Sequence, residues 1–295
     1  MRVCLALDIG GTKVAAGLVS EAGDLSGQGQ VPTPAGDDPE VLWEAVAGLV
    51  ATVVGKGAAA GMPEPVACGV GSVAPMTPGG EMVYPVNVPA WNGGFPLRAR
   101  LEGLPELARV PLFVDVDAKA LALGEGWLGA AAGRPNFLAM VVSTGVGGGL
   151  VLGGEAVDGR TGNAGHVGHV IVVPGGRVCG CGARGCLEAE ASGTAIAALT
   201  GRPPAEAPPP MVARTGTLVG RAVASVANLV DLDLAVVAGS VALGYGAPFF
   251  AAAQAELDAL ARLSFSAGAR IVPAGLGPAG PLVGAAALAW RGLRS

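Results

Sequence analysis

Charge is in short supply. Asp, Glu, Lys and Arg together make up 14% of the 295 residues, acids outnumber bases 23 to 18, and the formal net charge is −5. A nucleic-acid surface needs a basic face, so this balance excludes one as the main task of the chain while leaving room for a local cationic pocket. Unbroken apolar spans are lacking as well. The stretches 135–155 and 271–290 are nearly free of charge over about the length of a bilayer span. The first is interrupted by Gly145, Gly147, Gly148 and Gly149, the second by Pro273, Pro278 and Pro281. A spanning helix must satisfy its own backbone, so both read as buried strands joined by glycine turns, and no membrane role is expected. Residues 1–8 reach Asp8 before any long apolar core develops, which argues against a secretory leader and for the cytoplasm. No Gly-x-x-x-x-Gly-Lys-Ser/Thr run occurs, which excludes a P-loop. Gly69-Val70-Gly71-Ser72-Val73-Ala74 matches a dinucleotide fingerprint, but Pro75, Pro78, Gly79 and Gly80 forbid the helix that must follow, so it reads as a loop.

What the chain has in abundance is glycine and proline, 50 and 23 residues, set without periodicity between Val/Leu/Ala-rich runs. They punctuate strands and helices. Strands are expected at 2–7, 14–19, 24–31, 66–71, 112–116, 137–142, 150–152, 234–238 and 270–273. Asp38-Pro39 marks a helix start, with apolar spacing through Val41, Leu42, Ala45, Val46, Leu49 and Val53. Further helices are expected at 118–128, 218–232, 248–263 and 282–293, with a surface loop at 205–210. Alternating strands and helices indicate an α/β fold.

One motif occurs twice. Asp8-Ile9-Gly10-Gly11-Thr12-Lys13 and Ser143-Thr144-Gly145-Val146-Gly147-Gly148-Gly149 each form a glycine turn between hydrophobic strands, half a chain apart. This predicts two related lobes. Glycine lets backbone N–H groups approach phosphate closely and supplies the positive φ of an anion nest, and the Thr12 and Thr144 hydroxyls can donate to phosphate oxygens. An ordinary hairpin turn is the alternative reading of each.

Of five cysteines, Cys4 and Cys68 sit in apolar strands and read as core residues. Cys179, Cys181 and Cys186 lie together, and His169 precedes the first of them by ten residues. Three thiolates and one imidazole make a closed tetrahedral zinc site with no position left for catalysis. A disulfide reading is weaker, because three clustered cysteines cannot all pair and the cytosol is reducing.

Together these motifs resemble the ROK family of bacterial sugar kinases and repressors. The resemblance rests on 8–13, on 143–149, and most firmly on Ala164-Gly165-His166-Val167-Gly168-His169 followed by the cysteine cluster and Gly185-Cys186-Leu187-Glu188. It implies an actin-like ATPase (ribonuclease H-like) fold with two lobes around a nucleotide and sugar cleft: a small lobe of 1–116 plus 282–295, and a large lobe of 117–281 carrying a zinc loop at 169–186. It implies an ATP-dependent kinase acting with Mg²⁺ on the 6-hydroxyl of a hexose or N-acetylhexosamine. Asp117 would be the general base, its other use being a helix N-cap. Asp8, Gly10, Gly11, Thr12, Lys13, Thr144, Gly145, Gly147, Gly148 and Gly239 would face ATP and its metal. Asn87, Asp117, His166, His169 and Glu188 would contact the sugar, and a homodimer or homotetramer is implied. The repressors of the family carry an N-terminal helix-turn-helix domain, for which there is no room ahead of Asp8. Two positions depart from the family pattern: Val116 replaces an Asn before the base, and His166 replaces an acid. His166 leans toward N-acetylmannosamine kinases, and Val116 cannot hydrogen-bond a sugar hydroxyl.

Overall fold

The structure is a computed structural model that describes residues 2–294. The chain divides into two compact units, Met1–Leu128 with Asp158–Ala164 and Pro278–Ser295, and Gly129–Val157 with Gly165–Gly277.

In the first unit, β1 (Val3–Ile9), β2 (Lys13–Ser20) and β3 (Leu25–Pro32) form an antiparallel meander. Beside β1 lie two parallel strands, β4 (Cys68–Ser72) and β5 (Leu112–Val116), giving the order β3-β2-β1-β4-β5. Every residue of β1 is buried. Both faces of a central strand are covered here, so it reads as a continuous apolar run rather than an alternating one. Leu5, Leu7 and Ile9 share a core with Leu42, Val46 and Val50 of α1 (Pro39–Ala59). Cys4 and Ala6 point the other way, toward Ala285, Ala286 and Ala289 of the closing helix Gly280–Gly292. That helix lies close because residue 69 is glycine: a Cβ there would sit 1.8 Å from the Ala285 carbonyl oxygen. The strand residues Gly69–Ser72 thus belong to β4, not to a loop; the fingerprint glycines serve helix-on-sheet packing.

Helix α1 begins as expected, with the Asp38 carboxylate accepting the Glu40 N–H at 2.9 Å and Pro39 in the first turn. Among the described residues α1 is the helix long and apolar enough to span a bilayer by composition. Its apolar face is accounted for by packing on the sheet. A short α2 (Leu97–Glu102) precedes β5, and α3 (Asp117–Leu128) follows it without a linker. Helix α3 packs on the closing helix at Gly284, where a Cβ would stand 2.6 Å from the Ala120 carbonyl oxygen. This contact places α3 with the first unit, whereas the expected lobes divide at 116/117.

The second unit repeats the layout. Strands β6 (Phe137–Val142), β7 (Val146–Leu152) and β8 (Glu155–Ala156) are antiparallel, while β9 (Leu234–Ala238) and β10 (Arg270–Pro273) run parallel to β6, in the order β10-β9-β6-β7-β8. Helices α4 (Leu187–Ala191), α5 (Gly193–Thr200), α6 (Pro209–Val230), α7 (Ser240–Tyr245) and α8 (Ala247–Leu260) complete it. Helix α6 starts nine residues before the expected Leu218. Pro209 and Pro210, expected in a loop, occupy its first turn, where a missing N–H costs nothing. Gly216 and Gly220 let α6 approach the backbone of α8 at Phe249 and Ala253. The stretch 271–290 is a strand followed by a helix, as the expected strand at 270–273 and helix at 282–293 have it, rather than strands joined by glycine turns; Pro281 stands in the helix's first turn.

Candidate functional site

Strand register delivers the acidic pair. Asp8, Gly71 and Asp115 are aligned across β1, β4 and β5, and α3 opens two residues later at Asp117. A Cβ on Gly71 would stand 3.3 Å from Asp117 Cα and 3.7 Å from Asp8 Oδ1, so both acids crowd one glycine. Burial raises the Asp8 pKa to about 7, helped by the negative charge of Asp117 and opposed by Lys13. Burial likewise lifts Asp117 to about 6, opposed by the Ala118 N–H that its Oδ1 accepts at 2.6 Å. Asp117 keeps a partly exposed surface. A carboxyl poised near 6 and open on one side can take a proton from a hydroxyl near neutral pH.

Sequence reading missed Lys119. Its ammonium is 1% exposed and lies 2.8 Å from Asp115 Oδ2, 2.5 Å from Asp158 Oδ1 and 3.3 Å from the Gly162 carbonyl oxygen. Asn163 holds the far end of the same short segment, accepting the Met76 N–H at 3.0 Å and donating to the Met76 carbonyl at 2.8 Å. The i,i+4 spacing of Asp115 and Lys119 was the available signal; the long-range partner Asp158 left none.

The first glycine turn joins β1 to β2, closed by the Gly10 N–H on the Lys13 carbonyl at 3.0 Å, with Gly11, Thr12 and Lys13 exposed. The second joins β6 to β7. Its Ser143 and Thr144 carbonyls accept the Gly193 and Thr194 N–H groups at the start of α5, at 2.7 and 3.2 Å. The Ser143 and Ser240 hydroxyls meet at 3.0 Å. The expected positive φ is absent: Gly10, Gly11, Gly145, Gly147, Gly148 and Gly149 all lie outside that region. Gly11, Gly145 and Gly148 answer to close approach instead. A Cβ at Gly11 would lie 3.1 Å from the Asn87 Nδ2, one at Gly145 2.8 Å from Glu188 Oε2, and one at Gly148 2.6 Å from Val167 Cγ1. Gly239, before α7, is different: its φ is 101° and a Cβ would strike the Val142 carbonyl at 2.3 Å.

Of the expected sugar contacts, Asn87 is exposed beside the first turn. In the second unit His166, His169 and Glu188 are partly buried. The two imidazoles stack with centroids 6.0 Å apart, and burial lowers the His166 pKa. Glu188 Oε2 accepts the Val146 N–H at 3.0 Å. Val116 is 4% exposed and its side chain belongs to the core with Ile9.

The metal cluster assembles as expected. Ligand atoms of His169, Cys179, Cys181 and Cys186 all lie within 4.8 Å of one another. Cys179 Sγ stands 3.6 Å from His169 Nδ1, and Cys181 Sγ 3.7 Å from Cys186 Sγ. Zinc bonds of about 2.3 Å to sulfur and about 2.0 Å to nitrogen set tetrahedral edges of roughly 3.8 and 3.5 Å, close to these two separations, so the donor set fits zinc. Positive φ at Gly182 and Gly185 turns the loop back on itself. The loop is also tied without metal. Buried Glu190 accepts the Arg177 N–H at 2.7 Å and pairs with Arg214 at 2.5 Å, and Arg221 donates to the Val172 carbonyl at 2.9 Å.

A family model described as the ROK family matches residues 4–291. The N-acetylmannosamine kinase of Escherichia fergusonii is 34% identical over 260 residues, covering 82% of this chain and 84% of that protein. A ROK hexokinase from Thermus thermophilus aligns with a TM-score of 0.79 and 34% identity, covering 99% of both chains. A ROK family glucokinase from Streptomyces griseus, solved with glucose and AMPPNP, aligns with a TM-score of 0.82 and 29% identity over 98% of this chain and 99% of that one. Matched along almost its whole length, the chain belongs to the ROK family, and within it to the kinases.

Proposed function

We propose that this kinase transfers the γ-phosphate of ATP to the 6-hydroxyl of a hexose or N-acetylhexosamine, with N-acetylmannosamine and glucose the first candidates. The observation that carries the reading is Asp117, a carboxyl at the β5–α3 junction raised to about 6 beside a second acid. As general base it accepts the hydroxyl proton while the sugar oxygen attacks phosphorus. The Gly10–Lys13 and Thr144–Gly148 turns bind phosphates, and Gly239 lies on the adenosine side. Asn87, His166, His169 and Glu188 hydrogen-bond ring substituents and penalise analogues that lack them. Mg²⁺ would neutralise charge on the phosphates, and Asp8, whose pKa burial raises, would be the carboxylate that helps to hold it. Zinc held by His169, Cys179, Cys181 and Cys186 would fix the 169–186 loop and leave no open position for the chemistry. The family resemblance further supports a cytoplasmic homodimer or homotetramer.

The test is a panel of glucose, mannose, N-acetylmannosamine, N-acetylglucosamine and amino-sugars with coupled ADP detection. Phosphorylation of at least one is expected, and silence across the panel defeats the reading. Asp117→Asn is expected to lower turnover ~10²–10⁴-fold in a folded protein; near-wild-type turnover removes Asp117 from the role.

A further inference from the structure

We propose that Glu188 is a positioning residue for the nucleotide: its carboxylate holds the second glycine turn in place, so the side chain expected on the sugar also sets the turn expected on ATP. The inference rests on the kinase reading above.

Three observations within the second unit carry it. Glu188 Oε2 accepts the Val146 N–H at 3.0 Å, at the point where the turn becomes β7. Gly145 does not have positive φ, so its backbone conformation does not demand glycine. A Cβ there would lie 2.8 Å from the same Oε2, and glycine at 145 is what admits the carboxylate. The carbonyl side of the turn is already held, by the Gly193 and Thr194 N–H groups and by the Thr194 hydroxyl at 3.0 Å. Glu188 supplies the matching constraint on the N–H side, and does so with a charged acceptor, the stronger kind of hydrogen bond.

A similar contact stands in the first unit, at a different place in the strand order. Asn87, between β4 and β5, brings its Nδ2 within 3.1 Å of the Cβ position of Gly11. In both units a polar side chain read as a sugar contact lies against a glycine read as a phosphate contact.

The experiment is calorimetric titration of the zinc-loaded protein with Mg²⁺-AMPPNP in the absence of sugar. Glu188→Ala is expected to weaken nucleotide binding on the order of tenfold, the size of a lost charged hydrogen bond. Glu188→Asp keeps the charge but is too short to reach Val146 and is expected to match it. Glu188→Gln retains an acceptor oxygen and is expected to stay within about threefold of wild type, since a neutral acceptor is only modestly weaker. Zinc content and far-ultraviolet circular dichroism report whether each variant is folded. Unchanged sugar-free nucleotide affinity in folded Glu188→Ala or Glu188→Asp would overturn the proposal, because a residue serving the sugar alone behaves that way. A loss in Glu188→Gln equal to that in Glu188→Ala would overturn it too. Wild-type protein that fails to bind AMPPNP would instead overturn the kinase reading itself.

Discussion

Asp8 and Asp117 both abut Gly71, one from the end of β1 and the other from the start of α3. Neither residue is near the other in sequence; the parallel pairing of β1, β4 and β5 brings them to one place. Burial separates both from ordinary carboxyls, and at Asp8 the negative charge of Asp117 adds to it.

Turnover is therefore expected to follow an acid limb. As pH falls through about 6 the proposed base, Asp117, takes up its proton, and kcat/KM should drop tenfold per pH unit below that point. The two acids interact, so the limb belongs to the pair. A kcat/KM profile from pH 5 to 8 at saturating Mg²⁺ checks it; a profile flat down to pH 5 contradicts an Asp117 raised to about 6.

The same raised pKa costs stability. Asp8 binds its proton more tightly folded than unfolded, so its contribution is fully favourable below about 4 and is lost as pH rises through about 7. Asp8→Asn cannot ionise. It is expected to raise the thermal midpoint of ligand-free protein at pH 8, by on the order of 2 kcal/mol in stability, and to give no such gain at pH 4. Melting curves at both pH values test this. On the proposed function activity of the variant should fall too, since Asp8 would face the phosphate-bound metal.

Zinc is expected at about one equivalent by elemental analysis. Cys181→Ser should lose it, whereas Cys68→Ser, at a buried position of β4 that is not among the ligands, should keep it. Chelation should lower the thermal midpoint and expose the loop apex near Cys181 to protease. It should spare the loop base, which Glu190, Arg214 and Arg221 hold without metal.

Two glycines separate packing from backbone freedom. Gly69→Ala drives a methyl into the Ala285 carbonyl of the closing helix and should destabilise by about 3 kcal/mol or more. Gly48 is exposed on α1 with open space at its Cβ position, and Gly48→Ala should stabilise by roughly 0.5–1 kcal/mol. Urea denaturation of both variants provides the comparison.

Local pattern carried the α/β class, the paired hairpins and the metal ligands. Strands β5, β6, β9 and β10 have the bounds their apolar runs imply, because a buried strand is written in its own residues. His169, Cys179, Cys181 and Cys186 were legible because one short loop holds them all, and ligand chemistry depends on residue type and count. The early start of α6 was hidden by Pro209 and Pro210, which read equally well as loop or first turn.

What the sequence could not decide depends on distance across the chain. The glycines of both turns look alike on paper, as sites of positive φ, yet the fold uses them as room for Asn87, Glu188 and Val167. Lys119 meets Asp158, 39 residues away, only because the chain returns to the first unit for a few residues. The raised pKa values of Asp8 and Asp117 arise the same way. A carboxyl titrates according to the water and charge around it, and those are set by neighbours that tertiary packing alone brings into place.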